Sequence, residues 1–552
     1  MATLRGADIL ARALAAAGVR HLFSLSGNQI MPVYDAALEA RLSIVHVRHE
    51  GAAVHMADAW GRLTGEPGIA LLTGGPGHAN GVGALYTALA SESPVVLLSG
   101  HAPLAELGRG AFQEMRQADL AAPVTKDSWT AVSAARLGED IERALRIARS
   151  GRPGPVHVSL PIDVLEARVA APAIASSRPA APVVQWLDAS AGDAVQAELK
   201  RAHRPLVLVG PVMANGAGRA ARERLAAATG VPVVCMESPR GVNDPGLGAF
   251  ADVLHEADLV VLLGKQPDFT LRFGAPPAVA ADCRFIVIDP EPAALQRALK
   301  TLAPAARVLL SAVADPLAAA EDLAANGRAA GSQQWAQDVQ SAIRFRPAEW
   351  KTLASRSEGP LHPVEVGRAV QQILDRSRDA VLIADGGEFG QWAQACTSAP
   401  TRLINGPGGS IGSAIPFALA ARLARPDATV VAMLGDGTFG FHLAEVDTAA
   451  RARLPFLAVI GNDACWNAEH QIQLRTYGRD RAHGCELLPA RYDQAVTALG
   501  GHGEHVARAA DLAPALERAL GSQRPACVNV MIERAAAPTV VRGALVGAGV
   551  MH

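Results

Sequence analysis

Aromatic residues make up only 4% of this 552-residue chain, so its cores must be built from Ala, Val and Leu. With 52 glycines, that small-residue composition suits closely packed α/β layers better than a β-sandwich. Neither charge sign is in excess. The net charge is −2 and no long basic or acidic run occurs, which argues against nucleic acid and anionic membrane as partners. The six cysteines (Cys235, Cys283, Cys396, Cys465, Cys485 and Cys527) are scattered and form no CxxC pair. Buried thiols in a reducing, cytoplasmic compartment are therefore expected, not a metal-thiolate site. No window reaches about 18 uninterrupted apolar residues, so no membrane span is read. The N-terminal stretch carries Asp8 and lacks the continuous apolar core of a signal peptide. Neither G-x-G-x-x-G nor G-x-x-x-x-G-K-[ST] occurs at the glycine-rich loop after the third predicted strand.

What is present is an alternation of apolar strands and helices in a chain too long for one core, which suggests three or four domains. In the first third, strands are predicted at His21 to Leu25, Ile44 to Arg48, Ile69 to Thr73, Val95 to Ser99 and Val156 to Leu160. The Ala-, Pro- and Ser-rich stretch 167–182 reads as a linker. A second unit has strands at Leu206 to Val209, Val231 to Cys235, Leu259 to Leu263 and Phe285 to Ile288, and a polar linker with helix pieces spans 327–363. A third has strands at Ala380 to Ala384, Thr429 to Leu434, Phe456 to Ile460 and Cys527 to Ile532. The fold class is α/β with three parallel-sheet domains, at 1–170, 190–330 and 360–535. A small, flexible tail or lid follows at 536–552.

Two stretches carry chemistry. In Val430 to Asn467, a buried strand ends in Gly435-Asp436-Gly437, a helix follows, and a second buried strand ends in Gly461-Asn462-Asp463. A right-handed crossover sets Asp436 and Asn462 side by side at the carboxyl edge of a parallel sheet, where ligands bind. They can share one hard cation such as Mg²⁺ with phosphate oxygens. A Gly-Asp-Gly turn alone is usually only a turn. Far upstream, a strand runs into His49-Glu50-Gly51, and 24 residues later comes Thr73-Gly74-Gly75-Pro76-Gly77-His78-Ala79-Asn80. A lone Glu there is often a helix-dipole partner. A loop so rich in glycine lets another molecule approach the backbone closely.

Together these stretches resemble the thiamine diphosphate (ThDP) enzymes. The resemblance implies that Asp436, the Asn462 side chain and the Ala464 carbonyl hold Mg²⁺ on the cofactor's diphosphate. It implies that Glu50 bonds N1′ of the aminopyrimidine, where a shared proton favours the tautomer that deprotonates C2. It places Gly27, Asn28, Gly74, Gly77 and Asn80 among the cofactor contacts. Gly387, Glu388, Phe389, Gly435, Gly437, Thr438 and Trp466 join them. In Asn405 to Gly412, the resemblance puts Gly409 and Ser410 at the cofactor and Ile411 under its thiazolium. Gly110-Ala111-Phe112-Gln113-Glu114 is similar to a stretch in acetolactate synthases and 2-hydroxyacyl-CoA lyases. By that resemblance Gln113 is implied to be catalytic, holding an oxyanion or positioning a proton donor, where otherwise it would be an exposed loop amide. Phe112, His78, Cys465 and Asn467 are implied near the substrate.

Within the family, acetolactate synthases carry Gln-Trp-Gln after the metal-binding Asn, whereas this chain reads Cys465-Trp466-Asn467. Leu263 to Gly274 and Ile286 to Pro290 look more like 2-hydroxyacyl-CoA lyases, a resemblance that would put Asp289 at a ribose and Lys265, Arg272 and Arg284 at phosphates, although as single surface cations the three read first as solvated. The adjacent histidines of pyruvate decarboxylases are absent. The resemblance therefore implies a lyase or carboligase acting first on 2-hydroxyacyl-CoA, alternatively on 2-keto acids, with an aldehyde as co-substrate or product. FAD or an adenine nucleotide in the central domain stays open. A homodimer or homotetramer with ThDP at the subunit interface is implied. A nicotinamide-dependent oxidoreductase is the rival from another class, and a catalytically silent binding subunit with the same fold is a second.

Overall fold

The computed structural model describes residues 3–170, 181–303, 307–327 and 331–542. Three parallel sheets organise it, as the alternating pattern requires. The N-terminal sheet runs in the order Ser43–His46, His21–Ser24, Gly68–Leu72, Val95–His101, Pro155–Pro161, Asp127–Thr130. The C-terminal sheet has the order Thr401–Ile404, Ala380–Asp385, Thr429–Gly435, Phe456–Asn462, Pro525–Met531, His502–Val506. Numbered within its own sheet, each is 2-1-3-4-6-5, so the two outer domains share one topology. The central sheet, of five strands, is 2-1-3-4-5. In all three, strand order reverses between the first and third strands, and the crevice at their carboxyl ends is the expected ligand position.

The central strands of these sheets are buried on both faces, which is why they read as uninterrupted apolar runs. The strands not foreseen sit at sheet edges. Val308–Val313 alternates half-buried and exposed, and Asp127–Thr130 and Thr401–Ile404 each pair on one side only. Part of the first predicted linker is also paired, since Arg168–Ala170 lies antiparallel to Thr3–Arg5. Its stretch 171–180 lies outside the described residues. The second predicted linker contains helix, as read, but part of it belongs to the central core. Gln333–Arg344 is a helix whose Trp335, Val339 and Ala342 enter the central core at helical spacing. Trp335 Nε1–H donates to the Pro205 carbonyl at 2.9 Å, fixing the helix to the start of the first central strand.

The outer domains meet through two helices. Glu50–Thr64 packs on Ala414–Ala424 with Ala52, Ala53, Ala57, Ala418 and Ala421 fully buried in one continuous core. Side chains this small let the backbones approach closely. Both helices begin at the carboxyl edge of a sheet, so this packing fixes one candidate site against the other.

The C-terminal tail is anchored at its start. The Ala535 and Ala536 carbonyls accept from Asn467 Nδ2 at 3.0 Å and Trp392 Nε1 at 2.8 Å, and Arg542 N–H donates to Asp252 at 2.9 Å. Residues 543–552 lie outside the described part. No helix among the described residues is long and apolar enough to cross a membrane.

Candidate active site

Strands Thr429–Gly435 and Phe456–Asn462 pair in parallel with Gly435 opposite Gly461, so Asp436 and Asn462 leave adjacent strands at the same edge. Beside them a cavity of about 280 Å³ opens at the reversal point of the C-terminal sheet. Its walls include Gly387, Glu388, Phe389, Gly409, Ile411, Gly435, Asp436, Gly437, Thr438, Cys465, Trp466 and Asn467, with Pro239 and Arg240 from the central domain. Ser410 is half-buried beside this wall and does not line it. Gly437 is needed for close approach, because a Cβ there would lie 2.7 Å from the Trp466 ring.

Asp436 is 2% exposed, and its Oδ2 is buried without a hydrogen-bond partner. Burial pushes its pKa up to about 6, against the pull of backbone N–H groups including those of Ala464 and Cys465. Asp463, on the same wall, is pushed up to about 7 by burial and by the neighbouring Asp436 charge. Two carboxylates held this way are an arrangement that a divalent cation relieves. Asn462 is fully buried. Its Nδ2 donates to Ala490 O and Asn529 Oδ1, both at 3.0 Å, which leaves Oδ1 as the acceptor atom; Oδ1 takes one bond, from Ala464 N–H at 3.2 Å. The side-chain oxygens of Asp436 and Asn462 thus fit a hard cation.

The Ala464 carbonyl does not fit in this conformation. Ala464 has φ +53°, and its oxygen accepts from Leu487 N–H at 2.9 Å and Arg534 Nη2 at 3.0 Å. Glu388, expected at a diphosphate, carries a pKa raised by burial and accepts from Gln391 Nε2 at 2.9 Å.

The other half-site lies at the reversal point of the N-terminal sheet. Glu50 opens its helix and is 9% exposed; Asn80 Nδ2 donates to its Oε2 at 3.1 Å. The buried Gly77 stands beside its other oxygen, Gly27 backs onto Thr73, and Asn28 is exposed at the start of a short turn. Gly74 is buried against the Gly100 carbonyl. None of these residues lines the C-terminal cavity.

Several residues of this half-site escaped the sequence reading. Thr73 Oγ1–H donates to Gln29 Oε1 at 2.5 Å, and Gln29 Nε2 donates to Gln113 Oε1 at 2.8 Å. This chain occupies the Gln113 oxygen and leaves its amide N–H groups to donate outward. Gln117 accepts from Gly75 N–H at 2.8 Å, and Glu114 caps the loop carrying the exposed Phe112. From the C-terminal domain, the buried Glu445 accepts from the N–H groups of Arg48 at 3.0 Å and His49 at 3.1 Å, fixing the turn that carries Glu50. A local pattern gives no signal for such long-range bonds.

Two expectations are corrected. His78 is fully buried, with Nδ1 2.9 Å from Ser99 Oγ and its ring against His157, so it packs beneath the loop and does not face a substrate. Lys265 is 4% exposed and donates to Asp268 at 2.9 Å, and Arg284 lies 3.9 Å from Glu198. Asp289 is fully buried and bonds Arg152 and Gln266 Nε2. Arg152 also pairs with Glu92 at the joint between the N-terminal and central domains. Lys265 and Asp289 are thus engaged in internal ion pairs.

Two topologically equal α/β domains each place a polar cradle at the reversal point of a parallel sheet, the position at which this class of fold binds its ligands. The sequence comparisons agree in detail. Residues 4–120 match the thiamine pyrophosphate enzyme N-terminal TPP binding domain, 193–314 the central domain, and 385–530 the C-terminal TPP binding domain. The chain belongs to the thiamine pyrophosphate enzyme family. It is 34% identical to the acetolactate synthase large subunit IlvG of Mycobacterium tuberculosis over 546 residues, covering 96% of each chain. It is 28% identical to the 2-hydroxyacyl-CoA lyase of Oryza sativa subsp. japonica over 558 residues, covering 96% and 95%. Identity to 2-hydroxyacyl-CoA lyase 2 of Homo sapiens is 30% over 542 residues, covering 90% and 84%.

Proposed function

We propose that this ThDP enzyme is a Mg²⁺-dependent lyase or carboligase that breaks or makes a C–C bond next to a carbonyl. The observation that carries the metal half is the buried Asp436 oxygen without a partner, beside the strand that ends in Asn462. Asp436 and Asn462 would hold Mg²⁺ on the diphosphate. The loop from Gly435 to Thr438 would receive the phosphates. Ile411 would support the thiazolium, and Glu50 would share a proton with the aminopyrimidine. Bound ThDP supplies a carbon nucleophile and stabilises the carbanion left when the bond breaks. Gln113 would donate its amide N–H to the developing oxyanion. Because Glu50 lies outside the C-terminal cavity of its own chain, the complete site is read as shared between two copies, with Glu50 from one and Asp436 from the other. The protein is then at least a homodimer.

Of the two substrate classes, the short 2-keto acid is placed first. Arg240 lines the cavity and puts a cation there for a substrate carboxylate. The acyl-CoA class comes second, because Lys265 and Asp289, which would have read the nucleotide, are engaged internally. What favours it is Cys465-Trp466-Asn467 in the cavity wall in place of Gln-Trp-Gln. Arg240→Met should raise KM for pyruvate by about 10- to 100-fold, as expected for a lost charge-assisted contact, with a smaller change in kcat. Cleavage of a 2-hydroxyacyl-CoA to an aldehyde, with no turnover of 2-keto acids, would reverse this order.

Gln29→Leu should free the Gln113 amide to rotate and lower kcat by about tenfold, less than the ~10²-fold typical of deleting an oxyanion donor itself. Steady-state kinetics at saturating ThDP check this, and an unchanged kcat removes Gln29 from the positioning chain.

A further inference from the structure

We infer that Asp385 and His442 are positioning residues that grip the Gly412 peptide from both sides and so hold Ile411 in place. The inference rests on the ThDP reading above, in which Ile411 supports the cofactor. Asp385 ends the first strand of the C-terminal sheet and is fully buried. Its Oδ2 accepts from Gly412 N–H at 3.0 Å, Ala414 N–H at 2.8 Å and Ser413 Oγ at 3.4 Å. On the other side of the same residue, His442 Nδ1 lies 2.6 Å from the Gly412 carbonyl oxygen. A carbonyl only accepts, so Nδ1 carries the proton. His442 is itself 8% exposed, and burial pushes its pKa down to about 4, keeping the ring neutral.

The segment needs holding. Gly412 has φ +99°, a conformation open to glycine and costly for other residues, and a Cβ there would lie 2.8 Å from the Phe441 ring. Ile411, the preceding residue, lines the cavity. Its methyl Cγ2 would stand 3.2 Å from a Cβ built at Gly386, the residue after Asp385. Asp385 therefore fixes both walls, the Ile411 turn through side-chain bonds and the Gly386–Gly387 turn through the backbone. Capping of the Ala414–Ala424 helix is part of what Asp385 does, but capping requires no bond to Gly412 and none from His442. His442 also packs edge-on against His49, the neighbour of Glu50, at 5.8 Å between ring centroids. The grip thus stands at the joint between the two outer domains.

The test compares His442→Leu, which removes the donor, with His442→Asn, whose amide nitrogen can take the Nδ1 position. In the ThDP-free protein, hydrogen exchange of peptides covering 405–414 should quicken about tenfold in His442→Leu and return to within about threefold of wild type in His442→Asn. With saturating ThDP and Mg²⁺, exchange of the cofactor's C2 proton should slow by about 10- to 100-fold in His442→Leu, the scale of a small misplacement. ThDP affinity by calorimetry should change less. Combining His442→Leu with Ile411→Ala should cost no more than Ile411→Ala alone, because the two act through one contact. Multiplying effects, or a failure of His442→Asn to restore local exchange, would overturn the inference. Asp385→Asn, which keeps an acceptor for Gly412, supplies a second variant: it should quicken 405–414 exchange less than Asp385→Ala does, and equal effects of the two count against the grip. A wild-type protein that binds no ThDP would instead refute the underlying reading, while the local exchange data would still judge the grip.

Discussion

Asp436→Ala should lose Mg²⁺-dependent retention of ThDP. The carboxylate is 2% exposed, has one oxygen without a protein partner and faces the charge of Asp463. Backbone N–H groups offset part of the cost of burying this anion, and a bound cation would offset much of the rest. Alanine leaves Asn462 Oδ1 as the remaining side-chain oxygen of the pair, with no negative charge. Outer-shell changes at metal sites cost about 10- to 100-fold in affinity, so loss of a charged ligand should exceed 100-fold or so. Equilibrium dialysis with Mg²⁺, and again after chelation, measures it as ThDP bound per chain. Wild type should lose its ThDP when chelated, and the variant should hold little in either case. The metal-free variant should melt no lower than metal-free wild type, because the substitution removes a charge that burial disfavours. That result separates a lost ligand from a lost fold. Normal retention after dialysis would take Asp436 out of the metal site.

Glu50→Gln should slow C2 proton exchange of bound ThDP by about 10²- to 10⁴-fold, the range of general acid–base catalysis. Gln keeps the volume and an acceptor for Asn80 Nδ2, which now meets Glu50 Oε2 at 3.1 Å. It cannot share a proton with a ring nitrogen. The turn before it is held from the C-terminal domain by Glu445, so the side chain at position 50 should keep its place. Affinity for ThDP should therefore fall far less than the exchange rate. Quenched-flow exchange read by proton NMR gives the rate, and calorimetry gives the affinity. An exchange rate equal to wild type would sink the role of Glu50.

The motifs that named the family were legible because each is contiguous. Gly435-Asp436-Gly437 ends a central strand, Thr429–Gly435, whose buried middle declares itself as an unbroken apolar run, whereas His49-Glu50-Gly51 follows the half-exposed edge strand Ser43–His46 and was legible through its own motif. By itself, then, the sequence determined three α/β domains, the carboxyl-edge placement of Asp436 and Asn462, and the candidate cofactor. The edge strands Thr401–Ile404, Val308–Val313 and His502–Val506 were not foreseen: the first and last are short and carry Arg402 and Glu504, and Val308–Val313 alternates half-buried and exposed.

The tertiary structure alone decided what the polar groups are bonded to. Gln29 reaches Gln113 across 84 positions and Glu445 reaches Arg48 across 397, distances at which no local pattern carries information. It also turned His78 into the core, spent Lys265 and Asp289 on internal partners, and pointed the Ala464 carbonyl at Arg534. In each case the residue type permits a ligand role. Most buried polar atoms find a partner, and the fold decides which one; at Asp436 Oδ2 the described residues supply none.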